Sequence, residues 1–511
     1  MGEDSLKKRY TFKLSTNLIG LFFNLITQAI IPRGLGARNY GDFSYLTNFF
    51  TQVISFLDMG TSTCFYVRLS QRPKEHGLVS FYLYYAGSIS ALVIGLVALM
   101  YITSTYSMIL PGEEYLYICM AAVLSIFSWL TYNVLAQMAD AYGVTVLAEK
   151  AKIVQKMLGL MVITGLFYAG QLHLTLFFIY NYLILFCMAG SFIWVMGKSG
   201  FSMKQDRILN IQQIKLYLNE FYRYSQPLFI AAVVSLIADI IDRWLLQVYR
   251  GSVEQGFYSL SSQIGIICFL FTGAMIPLIT REYSIAFGNR DTTRLAYLFE
   301  RYNPMLYSVA TYFSCFVALQ ADKIVAIIGG AGFHGAVPAV TIMAFFPMHQ
   351  TYGQLSGSVF FAMGQTRLYS NINLFITIIS LPISYFLLAP SNKMGINAGS
   401  VGLAIKMVLI NIIGVNVKIY YNSKMLHFSF LKNLRHQIVS VACMLGIATI
   451  ATFVIDSMFT FGVSNIVSFI LAGVLYTVMV ALFAYFIPDM FGLKKQDMDL
   501  VFQFCANKIK I

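Results

Sequence analysis

The chain has 511 residues, of which 11% are charged and 58% hydrophobic. A soluble domain carries about 25% charged residues, so a water-soluble globular protein is excluded and most of the apolar surface has to face lipid. The formal net charge of +13 does not indicate nucleic acid as a partner, because the basic residues lie between apolar runs and not on one soluble face.

A membrane-crossing helix needs about 20 mostly apolar residues. Stretches of this kind run over 11–31, 44–67, 78–104, 115–139, 152–170, 174–196, 226–248, 254–279, 303–329, 336–363, 369–389, 396–418, 434–456 and 460–487. The sequence therefore predicts an all-α polytopic membrane protein with about 14 transmembrane helices. The first stretch contains Asn17, Asn24 and Gln28 and ends in Pro32-Arg33-Gly34. It lacks a small-residue cleavage site and reads as a span, not as a cleaved signal.

Loop charge tests this division, because a missed helix would scramble the alternation of basic segments. Lys and Arg fall in every second segment, from Lys7, Lys8, Arg9 and Lys13, through Arg68, Arg72 and Lys74, then Lys150, Lys152 and Lys156, to Lys494, Lys495, Lys508 and Lys510. The intervening segments hold only Arg33, Arg38, Arg250, Lys323 and Lys393. On this pattern both termini are cytoplasmic. Residues 197–225 form the longest water-facing stretch, and Ile208, Ile211, Ile214, Leu216 and Leu218 among polar neighbours predict an amphipathic surface helix. No loop is large enough for an extramembrane catalytic domain. The seven cysteines, Cys64 to Cys505, show no metal-ligand spacing and read as packing residues.

The tetrapeptide Gly41-Asp42-Phe43-Ser44 matches Gly256-Phe257-Tyr258-Ser259 at an offset of 215, which also carries the first span onto the seventh and the sixth close to the twelfth. Six helices separate the copies, so they would share one orientation. The expected organisation is an N-terminal lobe over 1–200, a cytoplasmic linker with an amphipathic helix over 201–225, a C-terminal lobe over 226–425, and a helix pair with a cytoplasmic tail over 426–511. That is two six-helix lobes plus a C-terminal pair.

Two segments carry a resemblance. Leu35-Gly36-Ala37-Arg38-Asn39-Tyr40-Gly41-Asp42-Phe43-Ser44 runs on to Leu57-Asp58-Met59-Gly60, and Ile241-Asp242-Arg243-Trp244-Leu245-Leu246 runs on to Gly256-Phe257-Tyr258-Ser259. This pattern resembles the polysaccharide biosynthesis (O-antigen flippase, Wzx-type) branch of the multidrug, oligosaccharidyl-lipid and polysaccharide exporter superfamily. The resemblance implies a flippase, not an enzyme and without a cofactor, that moves a polyprenyl-pyrophosphate-linked oligosaccharide across a bacterial inner membrane by alternating access, coupled to an ion gradient. The partners it implies are that glycan, membrane lipids, and the polysaccharide polymerase and chain-length machinery.

Ionisable groups inside spans cost about 2.5 to 3.5 kcal/mol each at a helix centre and default to functional candidates. Here they are Asp58, Asp239, Asp242, Arg243 and Lys406. Asp239, Asp242 and Arg243 share one helix face, which fits a structural ion pair as well as a proton- or sodium-coupling site. Thr51, Ser55, Asp58 and Ser62 form a second polar stripe, in which Asp58 either lines a cavity or bonds a neighbouring helix. Lys406 lies about ten residues from either end of its span, too deep to snorkel, and either meets a substrate phosphate or pairs with an aspartate. Arg33, Arg38 and Arg250 either ring the outer mouth or anchor the interface. Asn24 and Gln28, with His349, Gln350 and Gln354 beside Pro347, suit sugar hydroxyls and equally suit helix packing.

Other chemistries lack their residues. Gly197-Lys198-Ser199 has Phe192 where a phosphate-binding loop needs glycine. Glu113 and Glu114 are adjacent and point apart, which argues against a carboxylate pair for glycoside hydrolysis. Two rivals to the flippase remain. A cation-coupled multidrug antiporter would want an acidic cavity, and a polytopic glycan polymerase or ligase would want a sizeable outer loop.

Overall fold

A computed structural model describes residues 6–72, 75–198, 210–226, 229–273, 275–458 and 465–492. Ile208, Cys505 and the tail beyond residue 492 lie outside them. The described residues contain helices and no strand. Nine of these helices are long and apolar enough to cross a membrane, or ten if Thr292–Leu319 and Ala321–Ile328, which meet at 76°, form one bent span. The chain divides into two compact units, Met1–Gly256 and Phe257–Ile511.

The first unit contains α1 (Leu6–Asp58), α2 (Thr61–Gln71), α3 (His76–Ile102), α4 (Tyr115–Ala141), α5 (Thr145–Tyr168), α6 (Leu174–Gly197), α7 (Ile211–Ser225) and the start of α8 (Phe229–Gly273). The second holds the rest of α8, α9 (Ile276–Gly288), α10 (Thr292–Leu319), α11 (Ala321–Ile328), α12 (Ala331–Ala362), α13 (Thr366–Leu388), α14 (Gly399–Leu426), α15 (Phe430–Met458) and α16 (Asn465–Phe486).

The two longest helices are each broken by a glycine. In α1 it is Gly36, at φ 74° and ψ 167°, and in α8 it is Gly251, at φ 76° and ψ −172°. Extended ψ at positive φ is open essentially to glycine alone. Residue 251 is residue 36 plus 215, so both breaks occupy one position of the repeat that the tetrapeptides mark. They divide α1 and α8 near the boundaries that hydropathy places between the first and second, and the seventh and eighth, apolar stretches.

Burial follows the physics of a lipid solvent. On α3 the residues Leu78, Tyr82, Ala86, Ile89, Val93 and Val97 are buried at spacings of three and four, whereas Leu92, Ile94, Leu96, Leu99 and Ile102 are exposed. A helix apolar on every side with one buried stripe packs on protein along that stripe and presents the rest to hydrocarbon.

Helix α7 begins at a capping box, with Asn210 accepting from Gln212 and Gln213 accepting from the Asn210 backbone. Tyr217 and Phe221, one turn apart, are buried against Phe81 at ring separations of 5.3 and 5.5 Å. Glu220 bonds Arg72 at 2.8 Å. Ile211, Leu216, Leu218 and Tyr222 stay exposed. Of the aliphatic residues that predict an amphipathic helix, Ile211, Leu216 and Leu218 thus lie on its open side and Ile214 is half-buried, and the aromatic pair does the docking.

In the second unit α15 and α16 pack on each other and on α10. Tyr476 stacks on Tyr312 and Phe316 with centroids 4.9 and 5.3 Å away, and its hydroxyl donates to the Tyr312 carbonyl at 3.0 Å. Lys323 reaches both helices, bonding Asp456 at 2.7 Å and Ser468 at 2.9 Å.

Candidate functional site

The helices of the first unit line a half-open cavity of about 330 Å³. Five stretches of chain build it. Helix α1 contributes Phe23, Asn24 and Thr27 before its break and Phe43, Thr47 and Thr51 after it; α4 contributes Ser125, Ser128 and Tyr132; α5 contributes Gln155 and Lys156; α6 contributes Tyr180 and Asn181. Tyr132 lies in a π-helical turn, Leu130–Leu135, that interrupts α4. Such turns shift the register by one residue and are frequent at functional sites.

Several lining groups are already oriented. Thr27 and Thr47 donate to the carbonyls of Phe23 and Phe43 at 2.8 and 2.6 Å, which leaves their oxygens as acceptors. Tyr180 donates to the Gly159 carbonyl at 3.2 Å, and Asn181 donates to Phe177 at 2.7 Å. Among the described residues, the cavity lining contains one lysine and no aspartate or glutamate. It therefore offers one positive charge, three side-chain amides, a set of hydroxyls and four aromatic rings. This set suits a substrate rich in hydroxyls with an anionic group, because each buried polar atom of such a ligand finds a partner.

The lysine was placed by the sequence among the basic residues flanking the fifth span. In the structure α5 begins at Thr145, so Lys156 sits midway along it and projects into the cavity. Gly20 on α1 makes room for the ammonium: a Cβ there would lie 2.3 Å from Lys156 Nζ. A Gly20→Val substitution is therefore expected to push the flexible lysine aside without unfolding the helix. Binding of an anionic, hydroxyl-rich ligand should fall as far as in Lys156→Ala, and the double variant should lose nothing further, which a double-mutant cycle measures.

Of the residues singled out by sequence, Asn24 lines this cavity. Gln28, one turn on, is half-buried with its Oε1 unpaired among the described residues. Asp58 closes α1 at the consecutive left-handed residues Met59 and Gly60, with φ 44° and 75°. Its Oδ1 accepts from Thr61 Oγ1 at 2.8 Å, the Ser62 amide at 3.0 Å and the Tyr82 hydroxyl at 3.2 Å, and its Oδ2 accepts from Ser62 Oγ at 2.7 Å. The carboxylate thus caps the first turn of α2 and ties it to α3. The polar stripe on this part of the chain splits accordingly: Thr51 faces the cavity, and Asp58 and Ser62 bond each other.

On α8, Asp239 is exposed and Asp242 buried. Arg243 donates to Gln255 Oε1 at 3.0 Å across the Gly251 break. Arg33 and Arg38 are exposed on either side of the Gly36 break, and Arg250 pairs with Glu254 at 3.4 Å. In the second unit Lys406 is buried on α14. It is the eighth residue of that helix, closer to one end than the hydropathy boundaries put it. His349, Gln350 and Gln354 lie on α12 after Pro347, which opens its second half. His349 is buried with its ring 5.9 Å from Tyr307, and the two glutamines are half-buried.

No family model matches the sequence, and no curated relative does. Solved structures do match in fold. The lipid II flippase MurJ, in an inward closed conformation, aligns over 93% of this chain and 98% of its own with a TM-score of 0.64 at 13% identity. A multidrug resistance MATE family transporter of the MOP superfamily, inward-facing, aligns over 83% of this chain and 99% of its own with a TM-score of 0.57 at 16% identity. A MOP superfamily transporter from Pyrococcus furiosus, described as having a binding pocket of reverse polarity, aligns over 83% of this chain and 96% of its own with a TM-score of 0.50 at 14% identity. The chain is a multi-helix membrane protein whose fold is similar to that of MurJ and the MATE transporters.

Proposed function

We propose that this protein is a flippase for a lipid-linked oligosaccharide carried on polyprenyl pyrophosphate, the repeat unit of a surface polysaccharide in a bacterial inner membrane. The observation that carries the reading is the cavity in the first unit, lined among the described residues by a lysine, three amides and several hydroxyls and by no carboxylate. A pyrophosphate-linked head group bears about two negative charges, and low-dielectric passage without a counter-charge would cost many kcal/mol. Lys156 supplies that charge at depth, and the amides and hydroxyls exchange hydrogen bonds with sugar. The likeness in fold to a lipid II flippase supports the same class of cargo. In this reading the chain has fourteen spans with cytoplasmic termini, as two six-helix lobes and a C-terminal pair, and works by alternating access.

A multidrug antiporter is the second reading, favoured by the likeness to MATE transporters. A cationic drug would meet Lys156 and find no carboxylate in this cavity, which places the antiporter second. Asp58, Asp239 and Asp242 are the proposed coupling groups. Arg33, Arg38, Arg243 and Arg250 are proposed to handle the pyrophosphate, and Asn24, Gln28, His349, Gln350 and Gln354 the sugar.

The test is deletion of the gene followed by analysis of the accumulated lipid-linked glycan and its membrane side. Build-up on the cytoplasmic face supports a flippase, and an unchanged glycan pool rejects it. Lys406→Ala is expected to stop export of mature polysaccharide while expression is kept, and Lys406→Arg to retain part of it because charge persists while shape changes. Normal export in the alanine variant would make Lys406 structural.

A further inference from the structure

The turns at Gly36, between α3 and α4, and at Gly251 fall at the same end of the first unit, and there the two repeat copies touch. A Cβ on Gly41 would lie 1.8 Å from the Ser252 carbonyl oxygen, and a Cβ on Gly256 would lie 2.2 Å from the Ala37 carbonyl oxygen. Residues 37 and 41 become 252 and 256 at the repeat offset of 215. The crossing is therefore reciprocal, each copy's glycine receiving the other copy's carbonyl. Any side chain at either glycine holds the two segments apart.

A buried acid pair adjoins this crossing. Asp42 follows Gly41, and Glu113 comes from the turn before α4; their carboxyl groups share a hydrogen bond. Gln247 of α8, itself 5% exposed, donates through Nε2 to Glu113 Oε1, the Pro111 carbonyl and Ser252 Oγ, each at 3.2 Å. Asp42 Oδ1 and Gln247 Oε1 are buried without a partner among the described residues. Two carboxylates in contact with an unpaired oxygen beside them lack one donor hydrogen, and a proton on Glu113 supplies it. Burial, then the Asp42 charge and their hydrogen bond, raise Glu113 to about 9. The other charged groups facing it are Arg38, which opposes the shift, and Glu114, which adds to it. The Tyr45 phenol also faces Glu113, and α8 contributes the neutral groups Gln247 and Ser252.

We propose that Asp42 and Glu113 form a single-proton binding site that latches the glycine crossing shut, and that loss of the proton releases it. With the proton, the pair is a neutral acid bonded to a carboxylate, and Gln247 joins it to α8. Without it, two buried carboxylates repel each other and push the turn before α4 away from α1. The sign follows directly. Glu113 is raised, so the stabilisation of the closed form is fully present below the ordinary carboxylate range and is lost as pH rises from there through about 9. The proposal concerns gating and stands whatever substrate passes.

The experiment uses the full chain in proteoliposomes with spin labels at Arg33→Cys and Val253→Cys, both exposed positions flanking the crossing, in a background free of native cysteines. The expected distance distribution is short at pH 6, with a longer component that grows as pH rises towards about 9 and levels off above it. Glu113→Gln and Asp42→Asn, which remove one charge and keep a hydrogen-bonding group, should hold the short distance even at pH 10. Gly41→Val should show the longer distance at pH 6. A parent distance that does not change with pH, or the same pH response in both neutral variants, overturns the latch. A short distance in folded Gly41→Val overturns the crossing as the closing contact.

Discussion

Lys156→Ala is expected to lower the rate of substrate translocation roughly 10- to 150-fold, the equivalent of about 1.5 to 3 kcal/mol for a hydrogen bond to a charged group. Among the described residues the ammonium is the only formal charge in the cavity lining, and no ion pair with it occurs. Its removal takes a counter-charge from the substrate and leaves the hydroxyl and amide contacts in place. Lys156→Arg should recover part of the rate, since charge is kept while the planar fork fits the space beside Gly20 differently. Folding should be unaffected, because no protein group relies on this ammonium. The readout is translocation per folded molecule, normalised by a thermal melt. Full activity in the alanine variant would remove Lys156 from the site.

The second large effect is on stability. Asp58→Ala removes the acceptor for four hydrogen bonds and leaves the Ser62 amide and three hydroxyls to be satisfied at a buried position. The expected loss is about 3 to 5 kcal/mol, drawn from several unsatisfied donors. Asp58→Asn keeps one oxygen for the amide and for Thr61, and Ser62 Oγ can turn to accept from the new amide. Its cost should be about 1 to 2 kcal/mol. This difference separates the two roles of Asp58. If it only caps α2, the asparagine variant transports normally per folded molecule; if it exchanges an ion, that variant is inactive though folded.

The sequence made much of the fold legible, because a lipid solvent imposes a simple rule. Long apolar runs mark α3 to α6 and α12 to α16 directly. The tetrapeptide match coincides with a shared backbone feature, a glycine break at positions 36 and 251, five residues upstream of each tetrapeptide. The amphipathic helix was legible from composition, but not its docking face, since Tyr217 and Phe221 pack on Phe81 through a distant part of the chain.

The candidate site was less legible. Asn24 stands out as a polar residue in an apolar run, and it lines the cavity. Lys156 was hidden because hydropathy starts its span at residue 152, whereas the helix starts seven residues earlier, at Thr145, and carries the lysine into the bundle. The polar residues Gln155 and Lys156, and Tyr180 with Asn181, were the available signal. Glu113 was compared only with its neighbour Glu114; its partner, Asp42, belongs to another helix, and no spacing rule connects them.

The most direct test of the account is a reconstituted translocation assay. Proteoliposomes containing the full chain and a fluorescent polyprenyl-pyrophosphate-linked oligosaccharide are exposed to a membrane-impermeant quencher, which reports the fraction on the outer leaflet over time. The account predicts protein-dependent exchange between leaflets that falls at least 10-fold in Lys156→Ala and is competed by the unlabelled lipid-linked glycan but not by a cationic drug. Exchange no faster than in protein-free vesicles, together with uptake of a cationic dye, would contradict it.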